Sequence, residues 1–295
     1  MTAQPQTLAS PPRTPFSWAW LGVVPFFIFA IGFLLIPSLS LFIGSFQDQN
    51  GNFTLNNIFD LFRERVIVSA YIQSIQISLT TAVMGGVFGF FVAYAVIFGG
   101  LPPALRSVLI TFSGVASNFA GVPLAFAFIA TLGRTGLVTA FMKNILGFDI
   151  YSTDFSLYNF WGLSFTYLYF QLPLMILIMT PALEGLRREW REAAENLGAT
   201  GWQYWRHIGL PILLPSMLGM MILLFGNSFG AYATAYALTG GTLPLVTLLI
   251  GAQISGDSLP NRGLGFALAL GMVVIMALSL IGYSLLQRRS ERWLK

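Results

Sequence analysis

The sequence predicts an all-α membrane protein with six transmembrane helices. Of its 295 residues, 56% are hydrophobic and only 9% are charged, and the mean hydropathy is +0.74. Soluble domains carry about 25% charged residues, and a soluble fold of this length could not bury so much apolar surface. We therefore expect the bilayer to be the solvent for most of the chain.

Six stretches are long enough to cross a bilayer, which takes about 20 apolar residues. None of them contains Lys, Arg, Asp or Glu. They are residues 18–46, 67–98, 108–132, 160–183, 215–236 and 264–286. We assign 16–290 to one transmembrane domain. The segment 1–15 holds four prolines and is expected to be a disordered tail, and 291–295 forms a second tail.

The charges predict the orientation. If both termini lie on one side, that side holds ten of the 15 Lys and Arg residues and the other side holds five. Counting the acids gives a net charge of +5 on the first side and −1 on the second. Because cytoplasmic loops carry an excess of Lys and Arg, we expect both termini, and the loop 184–214, in the cytoplasm.

Composition excludes several functions. The chain has no cysteine, which excludes disulfides, thiolate catalysis and Cys-based metal sites. No basic run with interleaved aromatics suggests a nucleic-acid partner. The one histidine, His207, has no Asp or Glu constellation around it that suggests a metal site or an enzyme. A phosphate-binding P-loop needs a Gly-Lys pair, and neither Lys143 nor Lys295 follows a glycine.

The loop 184–214 has helical patterning and heavy charge. Residues 184–196 are dominated by helix formers with apolar positions at helical spacing. Gly198 supplies a C-terminal stop, and Thr200 can cap a second short helix over 201–207. Pro211 fits the first turn of the helix that follows. We call this predicted helix–turn–helix, residues 184–214, the elbow.

The residues Glu192-Ala193-Ala194, then Gly198, then Ile208 and Leu210-Pro211 resemble the EAA signature of ABC importer permease subunits. The resemblance extends over about residues 16–290 through the six spans and the position of the elbow between the fourth and fifth. It implies the type I ABC importer (MetI-like) permease fold, with the elbow as coupling helices docked in a groove of an ATPase. The residues expected to couple are Glu192, Ala193, Ala194, Leu197, Gly198, Ile208, Leu210 and Pro211.

The same resemblance implies the partners. They are a dimer of a cytoplasmic ATPase, which binds ATP and Mg, a second permease that is related but different, and a periplasmic or extracellular substrate-binding protein. This chain itself would be a non-enzymatic, multi-pass subunit of the bacterial inner membrane, in contact with lipid and without a cofactor or metal of its own.

Uncharged polar residues at membrane depth are candidates for the substrate pathway. The best are Asn118, Gln171, Asn227 and Tyr232. Prolines in spans three and four suit a lumen or gate, because they bend helices. The alternative for each residue is an interhelical hydrogen bond that holds helices together.

The overall pattern resembles most the spermidine/putrescine-type permeases, through the single six-span domain, Thr54-Leu55-Asn56-Asn57 and Glu192 to Ala199. Related permeases for ferric iron, thiamine and aminoethylphosphonate share much of it. A polyamine is a polycation, yet no acid lies at membrane depth. Tyr232 and Tyr236 could substitute through cation–π contacts; the alternative is that selectivity resides in the external binding protein and the lumen is only a low-affinity path. Two other classes, a stand-alone secondary transporter and a membrane anchor for a cytoplasmic complex, would leave the elbow unexplained.

Overall fold

Helices make up nearly all of the computed structural model, which describes residues 22–153, 155–255 and 261–291. In that part of the chain, the extended backbone amounts to an isolated bridge between Gln47 and Phe53. The whole predicted N-terminal tail, 1–15, and the start of the predicted first span, through residue 21, lie outside the described residues, as do residues 292–295 of the C-terminal tail.

The described helices are numbered in chain order. They are α1 (Val24–Ala30), α2 (Ile36–Gly44), α3 (Asn56–Arg63), α4 (Arg65–Phe98), α5 (Pro103–Asn118), α6 (Gly121–Leu132), α7 (Leu137–Ile145), α8 (Phe160–Glu184), α9 (Arg188–Asn196), α10 (Gly201–Tyr204), α11 (Leu210–Phe229), α12 (Ala233–Thr239), α13 (Val246–Ser255) and α14 (Arg262–Glu291). A π-helical turn, Ile31–Leu35, joins α1 to α2.

Six helical runs in the described residues are long and apolar enough to cross a membrane, which confirms the predicted number. They are Val24–Gly44, Arg65–Phe98, Gly121–Ile145, Phe160–Glu184, Gly201–Phe229 and Arg262–Gln287. Four of them match the predicted stretches closely. The third and fifth differ, because each of the two predicted helices is interrupted.

The predicted third span, 108–132, is broken between α5 and α6. Pro123 favours a break here, since it has no N–H for the carbonyl of Phe119 and its ring would clash with that carbonyl in a continuous helix. Gly121 adopts φ +74° at the start of α6, a conformation that suits glycine. The chain therefore turns at Phe119 and Ala120 before the helix resumes.

The predicted fifth span, 215–236, is broken as well. α11 begins earlier than predicted, at Leu210, and ends at Phe229, and α12 begins at Ala233. Gly230 caps α11, and the carbonyl of Ala231 accepts a hydrogen bond from the Tyr167 hydroxyl at 2.9 Å. That carbonyl is consequently held by α8 rather than by a helical turn.

The centre of the bundle is formed by α4, α8 and α11. α4 and α8 approach closely because Gly89 leaves room, where an added Cβ would stand 2.6 Å from Cβ of Met175. Met175, Met179, Leu183 and Leu224 are almost completely buried there. By contrast, Val24–Gly44 lies at the edge of the chain with no buried residue in its apolar window, and α2 packs against α14.

Candidate functional site

The elbow extends directly from the central helix α8. Residues 185–187 form a short bend, and the first elbow helix begins at Arg188, not at the predicted 184, because α8 itself continues to Glu184. Arg106, at the start of α5, forms an ion pair with Glu184 at this point. The last turn of α8 is thus tied to α5 just before the chain enters the elbow.

The end of α9 has the hydrogen bonds of a Schellman motif. The Gly198 N–H donates to the Glu195 carbonyl at 2.9 Å, and the Ala199 N–H donates to the Ala194 carbonyl at 3.0 Å. Gly198 has φ +79°, the left-handed conformation that this cap uses. The predicted stop at Gly198 is therefore present, and it sets the direction in which the chain leaves the helix.

Two ion pairs one helical turn apart brace α9. Arg188 Nε donates to Glu192 Oε1, and Arg191 Nε donates to Glu195 Oε1, each at 2.9 Å. The hydrogen bond that Arg191 donates to Glu195 raises the pKa of Arg191. The four side chains are exposed, so each pair contributes only about 0.3–0.5 kcal/mol to the helix. Their main effect is to hold the charges in one row on the helix surface.

The second elbow helix is capped as the sequence predicted. The Thr200 hydroxyl accepts from the Gln203 N–H at 3.3 Å, and the Gln203 side chain accepts from the Thr200 N–H at 2.7 Å. This capping box satisfies two N–H groups at the helix start. α10 is short and continues through a π-helical turn, Trp205–Gly209, into α11, so no loop separates the elbow from the fifth span.

Trp205 holds the elbow against the membrane domain. Its ring meets Tyr94 edge-on, with ring centroids 5.1 Å apart, and Phe98 at 6.2 Å. Both partners lie on the last turns of α4. Gly209 also lies against the indole. A Cβ added at Gly209 would stand 2.7 Å from the Trp205 ring, so the absence of a side chain there leaves room for the ring. The elbow is therefore fixed both to α8 by the chain and to α4 by aromatic packing.

The opposite face of the elbow is apolar and uncovered in this chain. Leu197 is 88% exposed and Trp202 is 70% exposed. Beside them lies an apolar groove of about 470 Å³. Its walls are formed mostly by small and apolar residues of the elbow, with two polar residues among them: Trp190, Ala193, Ala194, Leu197, Ala199, Gln203, Tyr204, His207, Ile208 and Ile212.

The structure brings the eight predicted coupling residues into one region. Five of them contribute to the groove or to the cap beside it: Ala193, Ala194, Leu197, Gly198 and Ile208. Glu192 lies instead on the side of α9 that faces Tyr94 and Arg187, paired with Arg188. Leu210 and Pro211 form the first turn of α11.

The two helix breaks meet each other, at the ends of α5 and α11 that lead away from the elbow. The Gly121 N–H, at the start of α6, donates to the Thr234 hydroxyl oxygen in the first turn of α12 at 2.7 Å. α6 and α12 then pack along each other. The two short helices form a pair that is set off from α5 and α11 by the breaks.

Two of the predicted pathway residues lie beside these breaks. Asn118 is exposed at the last turn of α5 and donates to the Gly114 carbonyl at 2.9 Å. Tyr232 is 41% exposed and stacks on Tyr236, with ring centroids 5.6 Å apart and planes 14° apart. Tyr169 packs edge-on against Phe119 at 6.0 Å. The breaks thus carry an uncharged surface of aromatic rings and carboxamide.

The other two predicted pathway residues lie elsewhere. Asn227 is exposed beside a groove between α11 and α14, together with Leu223, Met276 and Tyr283. Gln171 is completely buried, and its Nε2 donates to the Thr81 hydroxyl at 3.0 Å. This contact between α8 and α4 favours the helix-packing alternative for Gln171.

Sequence reasoning did not find the Arg106–Glu184 pair, the Trp205 packing or the Gly121–Thr234 bond. For the Arg106–Glu184 pair, the only signal in the sequence was that both charged residues lie at the ends of apolar stretches. The other two depend on residues far apart in sequence. Among the described residues, no group of three or more His, Cys, Asp or Glu could hold a metal ion.

Comparisons with known proteins were made for the whole chain. Residues 85–292 match the family of binding-protein-dependent transport system inner membrane components. A probable sulfate transport system permease protein of Nephroselmis olivacea is 24% identical over 88% of this chain and 85% of its own length. A spermidine/putrescine transport system permease protein of Haemophilus influenzae is 27% identical over 92% of this chain and 96% of its own length.

Among solved structures, the chain resembles a bacterial alginate ABC transporter in complex with an alginate pentasaccharide-bound periplasmic protein. The TM-score is 0.72, with 15% identity over 92% of this chain and 94% of that one. At this identity the likeness shows a shared fold. The six-span, all-α architecture is accordingly that of type I ABC importer permeases.

Proposed function

This chain belongs to the family of binding-protein-dependent transport system inner membrane components, and from that premise we propose how it works. It forms part of the translocation pathway of an ATP-driven importer and couples that pathway, through the elbow, to a separate ATPase. The observation that carries the proposal is the uncovered apolar face around Leu197 and Trp202, on an element fixed to both α4 and α8.

The elbow is the docking element. Leu197 and Trp202 project outward and the groove between the two elbow helices is lined by alanines, which permit close approach of another protein's backbone. An apolar patch of this kind marks a protein interface. The partner proposed is the cytoplasmic ATPase, a dimer that binds ATP and Mg. The excess of Lys and Arg on the elbow side supports a cytoplasmic position for the elbow and both termini.

Movement of the ATPase would pass along rigid connections. The Schellman cap and the capping box fix the shape of the elbow. Trp205 transmits displacement to α4, and the bend 185–187 transmits it to α8. Because packed helices switch between discrete arrangements and do not deform continuously, the bundle would alternate between inward-facing and outward-facing states.

The substrate would pass beside the two helix breaks. An exposed carboxamide at membrane depth is costly in lipid, since its polar atoms need hydrogen-bond partners there. Asn118 and Tyr232 therefore face the pathway, and Asn227 faces either the pathway or the second permease. Interrupted helices at membrane depth line cavities in transporters, which supports the same position. Gln171 serves this pathway only indirectly, by fixing α8 against α4.

The substrate proposed is a polyamine. The supporting features are the stacked rings of Tyr232 and Tyr236, which offer cation–π contacts, and the polyamine permease among the relatives. A sulfate permease among the relatives shows that the same fold serves an anion in a similar protein. Ferric iron, thiamine and aminoethylphosphonate are the alternatives for this machine.

The test starts with the tagged chain purified in mild detergent and mass spectrometry of the copurifying proteins. We expect an ATPase, a related but different six-span permease and a substrate-binding protein. Ligand screening of that binding protein with putrescine, spermidine, sulfate, thiamine and ferric iron then identifies the substrate. Uptake by the chain alone in liposomes without ATP would overturn the proposal.

A pair of surface variants tests the elbow itself. Leu197→Asp places a charge on the uncovered face, and Phe53→Asp places one on a residue at the far end of the bundle that is 77% exposed. Neither side chain is buried, so both variants should insert and fold. We expect Leu197→Asp to lose the ATPase on purification and Phe53→Asp to retain it. Retention by both would contradict docking through the elbow.

A further inference from the structure

A small cavity lies behind the break between α11 and α12. Side chains from α4, α8, α11 and α13 enclose it, and five of them carry hydroxyls: Ser74, Ser78, Tyr167, Ser228 and Thr247. Ser74, Ser78, Tyr167 and Ser228 are each at most 5% exposed. The cavity leaves about 10 Å³ for the centre of a water-sized sphere, which is room for one ordered water molecule.

Some of these hydroxyls already have protein partners. Tyr167 donates to the Ala231 carbonyl at 2.9 Å, and Ser228 donates back to the Leu224 carbonyl in its own helix at 3.2 Å. The Ser74 oxygen accepts from the Val246 N–H at 3.0 Å, but no protein acceptor takes the proton of Ser74.

Two further hydroxyls in the wall form no hydrogen bond with another described residue. Ser78 is 1% exposed, and Thr247, on the first turn of α13, is half-buried. Buried polar groups in proteins nearly always have a hydrogen-bond partner, and leaving one unpaired costs about as much as losing a hydrogen bond.

We propose that this cavity is a binding site for a single ordered water that bridges Ser78 on α4 to Thr247 on α13, with Ser74 as a third partner. Buried waters usually make about three hydrogen bonds to such groups. The lining carries no charge, which suits a neutral molecule and not an ion. The water would join α4 to α13 beside the break between α11 and α12.

Two variants test the site by the sign of their effect on thermal unfolding, measured on the purified full chain with its copurifying subunits. Ser78→Ala and the isosteric Thr247→Val each remove one hydroxyl. If a water is bound, each variant deprives it of a partner, and Tm should fall by about 2–4 °C. If the cavity is dry, each variant removes an unpaired buried polar group, and Tm should stay constant or rise, which would overturn the proposal.

The matched control is Ser69→Ala on the same helix, since Ser69 is exposed and bonds only to the Val66 carbonyl. It measures the effect of replacing a helical serine by alanine. The double variant Ser78→Ala/Thr247→Val should lose less than the sum of the single losses, because both hydroxyls hold the same water.

Density from cryo-electron microscopy keeps the proposal testable if a variant fails to fold. At a resolution that shows ordered water, a peak about 2.7–3.2 Å from the Ser78 oxygen supports it. An empty cavity, or a peak at the shorter distances of a metal ion, contradicts it.

Discussion

The backbone N–H of Gly121 donates to the hydroxyl oxygen of Thr234 at 2.7 Å, and this bond joins the interruptions of two transmembrane helices. Thr234 is 2% exposed, so the bond is shielded from competing solvent. One interruption thereby caps the other, and α6 and α12 are positioned as a pair.

Replacing Thr234 with valine should loosen that pair. Valine has the same shape but cannot accept the hydrogen bond, and a buried unpaired N–H costs about 1–3 kcal/mol. We expect lower transport and a lower Tm, with Thr234→Ser close to wild type. Uptake into proteoliposomes and thermal unfolding measure the two effects. Thr239→Val is the control, because Thr239 is equally buried on α12 but bonds only within its own helix. Equal effects at both positions would argue against a special role for Thr234.

Substituting Gly198 should uncouple the elbow without affecting insertion. An added Cβ at Gly198 would meet no atom within 4 Å, so the penalty comes from the φ of +79° alone. That conformation costs an L-residue with a side chain about 1–2 kcal/mol. We expect Gly198→Asp to abolish stimulation of ATPase activity by the loaded binding protein, because it adds a charge beside the apolar groove. Gly198→Asn should be milder, because it is neutral and both residues tolerate the left-handed region.

The control for the Gly198 variants is Gly201→Ala in the same elbow. Gly201 also has open space around it but no positive φ, so alanine should be tolerated. Normal coupling by Gly198→Asp would rule out the proposed role of the cap.

Exchanging the charges of Arg106 and Glu184 should change the rate of transport more than the thermal stability of the protein. Both side chains are partly exposed, at 34% and 47%, and pairs of this kind contribute about 0.2–1 kcal/mol. We expect Arg106→Glu and Glu184→Arg each to reduce ATP-driven uptake with little change in Tm, and the double exchange to restore it. If the double variant is no better than the single ones, the pair does not connect α5 to α8 during the cycle.

The folded conformation of the loop after α7 should become less stable at acid pH. Lys143 donates to Asp149 at 2.8 Å, and this contact, with the Tyr151 N–H, lowers the pKa of Asp149 below its ordinary value near 3.8. The ionised form is therefore favoured by folding. The ionised Asp149 carboxylate stabilises the folded loop fully at pH values above its ordinary pKa. This stabilisation is lost as the pH falls through the lowered pKa that Asp149 has in the folded protein.

Hydrogen exchange of residues 149–153 in wild type and Asp149→Asn would measure this pH dependence. The difference in protection between the two proteins should be constant at neutral pH and shrink below about pH 4. A difference that persists unchanged at lower pH would exclude Asp149 as the titrating group.

The sequence by itself determined the class of fold and the elbow. Only helices and closed β-barrels satisfy their backbone polar groups in a bilayer, and continuous apolar stretches of about 20 residues have the length of spanning helices and not of barrel strands. The number of spans could therefore be counted directly. The elbow could be predicted for a similar reason. Its stop at Gly198 and its cap at Thr200 depend on residues within five positions of one another, and such local rules are written in the sequence.

Only the tertiary structure decided where the spans are interrupted and which polar residues are exposed. Pro123 indicated a bend in the third span. Whether the helix stopped there depended on a hydrogen-bond acceptor for the N–H of Gly121, and Thr234, which accepts it, lies 113 positions from Gly121. Gln171 and Asn118 are both carboxamides in apolar stretches. One is buried against Thr81 and the other lies at a helix end, because packing between distant helices, and not local pattern, determines which face of a helix is covered.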